Sequence, residues 1–203
     1  MSIEIKVWSD FVCPFCMIAE QPLLDAVRES GLDVAIEWMP FELRPYPTPT
    51  LRPEDNYLQS VWPRSVYPLA ERYGVEIKLP SVSPQPYTAL AWEGYQFARE
   101  HGKGSEYNDR VLKAFFQEDQ DIGESEVLTR LAGELGLDQA AFRQALEERR
   151  YRETHQRALA QAQTMAVTAV PTIMIGAHRF AGVQGKELLL RALRDAEESN
   201  QNV

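Results

Sequence analysis

The chain of 203 residues is 44% hydrophobic and 25% charged, which suffices for a well-packed core in one large domain or one domain with an insertion. Lys and Arg together number 21 against 30 Asp and Glu, giving a formal net charge of -9. Because phosphate binding needs clustered cations, this balance argues against nucleic acid as a partner.

No segment of the sequence has the pattern of a secretion signal or a membrane span. Residues 1–4 carry no basic region followed by an apolar stretch, and the longest apolar run, 166–175, is far shorter than a membrane span. We therefore expect a cytoplasmic protein without a membrane partner. The sequence leaves both a monomer and a homodimer open.

The first predicted unit is a strand over 3–9, a helix over 14–30 and a second strand over 34–39. Apolar residues recur at helical spacing within the helix, and Gly31 is placed to end it. This order of elements is a βαβ opening.

Both cysteines of the chain, Cys13 and Cys16, lie at the predicted start of this helix. The unpaired N–H groups and positive dipole end of a helix favour a thiolate, which is the nucleophile in disulfide exchange. Pro14 suits the first helical turn because its missing N–H removes no hydrogen bond there. Cys16 follows one turn later, near enough to attack a mixed disulfide at Cys13, so the spacing predicts a redox dithiol.

Other uses of two cysteines fit this pattern less well. A disulfide that closes so short a loop constrains little of the unfolded chain, so a structural bridge is not expected. Tetrahedral zinc needs two further ligands, and the three histidines show no metal-ligand spacing to the cysteines: His101, His155 and His178. We therefore expect no metal, and an incidental buried pair is the remaining alternative.

The middle of the chain changes from a linker to helices. The proline-rich stretch 40–53 predicts an extended linker, because its prolines interrupt any regular helix. From 54 to 165 the pattern is helical, with an ambiguous piece at 75–79, and Asp138 is placed to cap one helix after Gly136 ends another. The aromatic residues here either fill a core or line a groove, and nothing in the segment identifies a substrate.

Strand patterns return at 172–175 and 178–181, followed by a helix with Leu189 and Leu193 on its apolar side. The predicted order is therefore βαβ, helical insertion, ββα. Strands from both ends of the chain can share one sheet if the insertion folds aside as a compact lid. That arrangement brings residues near 171 alongside those near 13.

Four segments resemble the DsbA-like branch of the thioredoxin superfamily, and most of all its cytoplasmic FrnE-type members. They are WSDFVCPFC at 8–16, PFELRP at 40–45, AVPT at 169–172 and FAGVQ at 180–184. The resemblance implies an α/β thioredoxin-like fold with a helical domain inserted between the second and third strands. It implies a discontinuous thioredoxin-like domain, 1–43 and 166–203, and a helical insertion domain, 44–165.

The resemblance also implies which residues form the site. Cys13 would be the attacking cysteine, Cys16 the resolving cysteine, and Pro171 a cis-proline that faces them. A cis bond before Pro171 would turn the backbone so that its polar groups can pair with an extended substrate peptide. The residues implied to contact substrate are Pro14, Phe15 and Val170.

Two positions depart from the family pattern. Phe15 replaces the tryptophan common in FrnE-type members and the histidine of the strongly oxidising periplasmic DsbA. Without a cation there, one source of thiolate stabilisation is missing, so we predict a reduction potential below the about -120 mV of that oxidant. Ala169 stands where glycine is frequent, which affects how closely a substrate backbone can approach.

Asp10 and Glu37 are candidate proton acceptors for Cys16, because a carboxylate near the dithiol can take the proton that the resolving thiol must lose. Two interpretations of Glu37 remain open: a charge buried within the strand at 34–39, and a residue on the solvated face of that strand.

Two functions of different classes follow. The first is a thiol–disulfide oxidoreductase or isomerase that acts on protein or small-molecule disulfides and thiols, with no bound cofactor and glutathione as a candidate co-substrate. The second is a glutathione-dependent isomerase or transferase, as in the related 2-hydroxychromene-2-carboxylate isomerases and kappa-class transferases. Those relatives typically carry serine at the position of Cys13, so the two cysteines favour the first function. A redox-sensitive binding module without turnover is a third alternative.

Overall fold

The computed structural model describes residues 2–201, and a four-stranded mixed sheet joins the two ends of the chain. The strands are β1 (Ile3–Ser9), β2 (Val34–Pro40), β3 (Thr172–Ile175) and β4 (His178–Ala181). Their order across the sheet is β2-β1-β3-β4. β1 pairs parallel with β2 and antiparallel with β3, and β3 pairs antiparallel with β4.

Helices cover this sheet and fill the segment between β2 and β3. Two belong to the ends of the chain and pack against each other, α1 (Pro14–Ser30) and α9 (Lys186–Gln201). No helix within residues 2–201 has the length and apolar character needed to cross a membrane. The others are α2 (Asn56–Val61), α3 (Tyr67–Tyr73), α4 (Ala89–Glu100), α5 (Gly104–Phe116), α6 (Ser125–Glu134), α7 (Gln139–Glu147) and α8 (Arg152–Thr164), with a π-helical turn at Trp62–Val66.

The sequence predicts this architecture correctly at the level of fold. The βαβ opening, the helical segment between the second and third strands, and the ββα ending are all confirmed. The domain boundaries stay a prediction, and residues 1, 202 and 203 of the predicted thioredoxin-like domain lie outside the described residues.

Local signals explain where α1 begins and ends. Cys13 occupies the N-cap position with an extended backbone, and Pro14 takes the first helical position. Gly31 ends the helix with φ of 66°, a left-handed conformation that a glycine adopts without the steric cost of a Cβ. These boundaries place the dithiol at the N-terminus of a helix of 17 residues.

The ambiguous segment 75–79 is not a strand. It runs without regular structure, and the Lys78 N–H donates to the Phe116 carbonyl oxygen at 2.8 Å, where α5 ends. The predicted cap at Asp138 is present, since its carboxylate accepts a hydrogen bond from the Ala141 N–H at 3.0 Å. The cap at Asp138 depends on neighbouring residues, so the sequence predicts it. The conformation of 75–79 depends on a contact with the end of α5, which the sequence pattern does not reveal.

One hydrophobic core extends from the sheet into the inserted helices. Ile5 and Ile173 of the sheet belong to the same buried cluster as Trp92 of α4. A hydrogen bond of 3.0 Å from the Trp38 N–H to the Tyr95 hydroxyl oxygen also joins β2 to α4. The inserted helices are therefore packed against the sheet, and this packing fixes their position around the N-terminus of α1.

Candidate active site

The two cysteines form an unbonded dithiol at the start of α1. They lie 3.3 Å apart, and both are nearly buried, with 4% of Cys13 and 2% of Cys16 exposed. The Cys13 N–H donates to the Asp10 carbonyl oxygen at 3.0 Å, and the Cys16 N–H donates to the Cys13 carbonyl oxygen at 3.1 Å. At this separation, rotation of the side chains alone can bring the sulfurs into bonding distance.

The environment of Cys16 disfavours ionisation of its thiol. Burial raises the pKa of Cys16 well above its usual value, and the neighbouring Cys13 raises it further. Hydrogen bonds from the Asp10 backbone N–H and the Ser9 side chain act in the opposite direction. Cys16 is therefore protonated at neutral pH, and its attack on another sulfur requires a proton acceptor.

The loop before β3 brings residue 170 to the dithiol. The Val170 carbonyl oxygen lies 3.9 Å from the Cys13 sulfur, and the Val170–Pro171 peptide bond is cis. The Gly182 N–H donates to the Pro171 carbonyl oxygen at 2.8 Å, which ties the loop to the end of β4. The structure thus places the region around Pro171 beside the start of α1.

Arg179 of β4 holds the other end of this loop. Its guanidinium donates to the Met165 carbonyl oxygen at 2.7 Å and to the Ala166 carbonyl oxygen at 2.6 Å, just after α8 ends. Ala166 has φ of 50°, which is unusual for a residue with a Cβ. Sequence analysis missed this role, because an arginine in a short strand is ordinarily a solvated side chain.

Asp10 is a buried acid next to the dithiol. It is 1% exposed, and one of its carboxylate oxygens accepts a hydrogen bond from the Leu43 N–H at 2.8 Å. Burial raises the pKa of Asp10 to about 7, against the lowering effect of the Leu43 hydrogen bond. The negative charge of Glu42 also raises this pKa. Asp10 can therefore take up or release a proton near neutral pH.

A cavity of about 240 Å³ opens beside Cys13 and is lined by residues around the start of α1, by residues between β2 and β3, and by Val170. The predicted site residues Cys13, Pro14, Phe15 and Val170 all line it, whereas Cys16 and Pro171 are not among its lining residues. Its polar members include Asp10, Arg44, Thr50, Tyr57, Gln85 and Thr88, and its apolar members include Val12, Leu43, Leu51, Leu58, Val61, Trp62 and Pro86.

Glu37 occupies a different place from Asp10. It forms ion pairs with Arg99 at 2.8 Å and with Lys6 at 3.6 Å, and 28% of its side chain is exposed. It is not among the residues that line the cavity beside Cys13. Of the two interpretations of Glu37, the geometry favours the residue on a solvated strand face.

Both tryptophans of the insertion belong to the core, and one of them also borders the cavity. Trp92 is fully buried and packs on Phe11 with ring centroids 4.3 Å apart, and Trp62, in the same buried cluster, lines the cavity as well. No group of three or more His, Cys, Asp and Glu side chains within residues 2–201 is arranged to hold a metal ion.

Sequence comparison finds both a family and a full-length relative. The family model described as "DSBA-like thioredoxin domain" matches residues 4–194. A Bacillus subtilis (strain 168) protein, described as "Uncharacterized protein YwbO", is 50% identical over 200 residues, which cover 98% of this chain and 99% of the relative.

Solved structures share the fold at low sequence identity. A probable DsbA oxidoreductase from Streptomyces coelicolor aligns with a TM-score of 0.77 and 20% identity, over 97% of this chain and 90% of that one. A 2-hydroxychromene-2-carboxylate isomerase aligns with a TM-score of 0.77 and 18% identity, over 98% of each chain. The cytosolic disulfide reductase DsbM from Pseudomonas aeruginosa, solved with glutathione, aligns with a TM-score of 0.71 and 18% identity, over 98% of this chain and 100% of that one.

Proposed function

This chain belongs to the DSBA-like thioredoxin domain family, and we propose that it is a thiol–disulfide oxidoreductase or isomerase with Cys13 as nucleophile and Cys16 as resolving cysteine. One observation carries the proposal. Two free cysteines lie 3.3 Å apart at the N-terminus of α1, and Cys13 borders a cavity and the Val170 carbonyl oxygen.

The reaction proceeds in two exchanges. The Cys13 thiolate attacks one sulfur of a substrate disulfide, so a bond forms between that sulfur and Cys13 while the substrate S–S bond breaks and the second substrate sulfur leaves as a thiolate. The Cys16 thiolate then attacks the Cys13 sulfur and releases the remaining substrate half as a thiol. The dithiol has given two electrons and the substrate has been reduced; the reverse sequence oxidises a substrate dithiol.

Asp10 supplies the proton transfers in this scheme. Cys16 must lose a proton before it attacks, and the departing substrate thiolate must gain one. The Asp10 carboxyl, whose pKa burial raises to about 7, lines the same cavity as Cys13 and can serve both steps. A group with a pKa near the working pH is well matched to such exchange.

Substrate contact is assigned to the residues around the cavity mouth. Pro14, Phe15 and Val170 line the cavity beside Cys13, which supports contact with the substrate half nearest the sulfur. Pro171 follows the carbonyl that faces Cys13 and remains the proposed docking residue. Arg44 contributes a cation to the cavity wall, which suits a substrate that carries a carboxylate.

Glutathione as co-substrate and the cytoplasm as location are proposed from the comparison with DsbM. DsbM is a cytosolic disulfide reductase whose structure contains glutathione, which supports glutathione as the thiol that renews the reduced dithiol here and the cytoplasm as the place of reaction. Protein disulfides and small disulfides both remain proposed substrates, as do a monomer and a homodimer.

A trapping experiment tests the proposal. Cys16→Ser removes the resolving thiol, so mixed disulfides through Cys13 should persist and should be isolated from cells under non-reducing conditions. Cys13→Ser is the matched control and should trap nothing and lose insulin reduction. Rapid loss of the mixed disulfides in Cys16→Ser would contradict the assigned role of Cys16.

A glutathione-dependent isomerase is the second candidate. The observation in its favour is the apolar wall around the cavity, together with the shared fold of 2-hydroxychromene-2-carboxylate isomerase. Cys13→Ser separates the two functions, since an isomerase of this kind should keep full turnover of an aromatic substrate with glutathione, whereas the oxidoreductase should be inactive.

A further inference from the structure

Three successive residues after β2 form a strap between the dithiol and the inserted helices, which we define as residues 41–43. The Phe41 N–H donates to the Ser9 carbonyl oxygen at 2.9 Å, and the Leu43 N–H donates to the Asp10 carboxylate at 2.8 Å. The residue between them, Glu42, instead bonds to an inserted helix, with its carboxylate 2.6 Å from Nε2 of His155 on α8. The strap therefore connects Asp10 and α8 directly.

Glu42 and His155 are the buried members of a cluster of charged and titratable side chains. Only 8% of its side chain and 4% of the His155 side chain are exposed. Arg149, just after α7, acts electrostatically on Glu42 while its guanidinium holds the buried Glu93 carboxylate through bonds of 2.6 to 3.1 Å. Arg152 lines the same cavity as Glu42 and His155. The acids Glu93, Asp121 and Glu124 and the phenols Tyr46 and Tyr87 also line this cavity. Glu42 thus faces three basic side chains and these groups on one side of the strap, and Asp10 on the other.

We propose that Glu42 is a positioning residue for the proposed redox reaction, and that its charge governs proton exchange between Asp10 and Cys16. The inference rests on the proposed function and deepens it. Its physical basis is that a second carboxylate disfavours ionisation of the first, and the Glu42 charge does raise the pKa of Asp10. His155 holds Glu42 in place by donating a hydrogen bond from its Nε2.

Glu42 is the acidic side chain whose charge acts on Asp10. The other charged or titratable groups that share its cavity are Cys13, Arg44 and Tyr57. Among the described residues, the electrostatic cause resolved for Asp10 is Glu42, beside burial and hydrogen bonds. In the step itself a proton moves from the Cys16 sulfur to the Asp10 carboxylate, and no electrons are transferred between these two groups.

A single-turnover assay reads this step directly. When the reduced protein reacts with the aromatic disulfide 5,5′-dithiobis(2-nitrobenzoate), Cys13 releases one coloured thiolate, and attack by Cys16 on the mixed disulfide then releases the second. The rate of the second release against pH reports ionisation in the Asp10–Cys16 pair. Glu42→Gln keeps the shape and the hydrogen-bond acceptor but removes the charge, so the midpoint should move to lower pH.

Two further variants make the result specific. In an Asp10→Asn background, Glu42→Gln should leave the pH profile unchanged, because the group whose ionisation it alters is gone. Glu37→Gln removes a carboxylate that pairs with Lys6 and Arg99 and should leave the midpoint in place. A shift that persists in the Asp10→Asn background, or an equal shift in Glu37→Gln, would overturn the proposal.

The remaining outcomes are also decisive. An unmoved midpoint in a folded Glu42→Gln protein would overturn this inference alone, whereas absence of the second release in the unmodified chain would overturn the proposed function as well. Should Glu42→Gln fail to fold, Glu42→Ala removes the same charge without leaving a buried amide, and a ¹³C titration of the Asp10 carboxyl compares that variant with the unmodified protein. The Asp10 midpoint should be lower in the variant, and equal midpoints would overturn the inference.

Discussion

Phe15 is the residue that most directly sets the proposed redox behaviour, because it stands between the two cysteines and lines the cavity beside Cys13. Phe15→His would place a potential cation there and favour the thiolate, which stabilises the reduced form. We expect the reduction potential to rise by about 30 mV for each tenfold change in the equilibrium constant.

The measurement is equilibration with glutathione buffers, followed by quantification of the oxidised fraction. Phe15→Trp is the matched control, since it changes the ring but adds no charge, and its potential should stay near that of the unmodified protein. A potential for the unmodified protein at or above about -120 mV would contradict the prediction made from Phe15.

Glu20 is a buried acid whose charge state links stability to pH. Burial raises its pKa from 4.5 to about 8, and Asn108 donates a hydrogen bond to it. The Asn108 side-chain carbonyl oxygen has no hydrogen-bond partner among residues 2–201, so a protonated Glu20 can donate to it. A group with a raised pKa stabilises the fold fully below its unfolded value and loses that contribution as pH rises through about 8.

We therefore expect the free energy of unfolding to fall between pH 5 and pH 8.5 and expect Glu20→Gln to remove about 2 to 4 kcal/mol of that fall. Urea denaturation at both pH values measures it. Glu29→Gln is the control on the same helix, because Glu29 is exposed and pairs with Lys186. An equal pH dependence in the unmodified protein and Glu20→Gln would refute the assignment.

The sequence reveals the residues of the site whose roles depend on near neighbours. Cys13, Cys16 and Pro14 are recognisable because their spacing relative to a helix start carries the chemistry. Arg179 and the Leu43 N–H are not, because their roles depend on where a loop passes and on a backbone group that every residue possesses. Their positions follow from contacts between segments far apart in the chain.

At the scale of elements, α4 packs so closely that one of its residues must be glycine. A Cβ added at Gly94 would lie 2.2 Å from the Tyr107 hydroxyl oxygen and 2.7 Å from a ring carbon of Phe142, both of them fully buried. We expect Gly94→Ala to lower stability by about 1 to 3 kcal/mol, because the two rings have no space into which they can move.

Gly133→Ala on α6 is a demanding control. Its added Cβ would also come close to a side chain, at 2.0 Å from the Gln139 amide nitrogen, but that group is the far end of a flexible side chain. Thermal unfolding of both variants measures the difference. If Gly133→Ala costs as much as Gly94→Ala, rigidity of the neighbouring rings is not the reason.

Sequence patterns identify most elements but not all of their limits. The strands at 3–9 and 172–175 and the helix at 14–30 are found where they were predicted, because alternation and caps are local signals. The helical pattern predicted from 54 to 165 includes Tyr87, yet α4 begins at Ala89 and the Tyr87 hydroxyl donates to the Thr48 carbonyl oxygen at 3.0 Å. The Tyr87 side chain thus contacts the linker at 40–53, and that contact has no signature in the sequence.

At the scale of the whole molecule, the continuous core predicts one cooperative unfolding transition. The sheet carries Trp8 and Trp38 and the inserted helices carry Trp92, all three of them buried. Because the sheet and the inserted helices contribute to the same buried cluster, neither should retain its structure after the other has unfolded.

Fluorescence of single-tryptophan variants, followed in urea alongside circular dichroism, checks this expectation. The midpoints reported by the sheet and by the insertion should coincide with the loss of helix. Two separated transitions would show that the inserted helices fold as an independent unit and would favour the predicted division at residues 44 and 165.

The hydrogen bond from Leu43 to Asp10 limits how such a protein can be rebuilt. Anyone who transplants a different helical segment onto this sheet, to alter what it recognises, would join the pieces near residue 43 if guided by sequence alone. That junction would leave the amide that holds Asp10 on the last residue before the graft, where the path of the new segment decides its position. A chimera should therefore keep the recipient's own residues through Arg44, or the grafted protein will inherit a new specificity together with a misplaced acid.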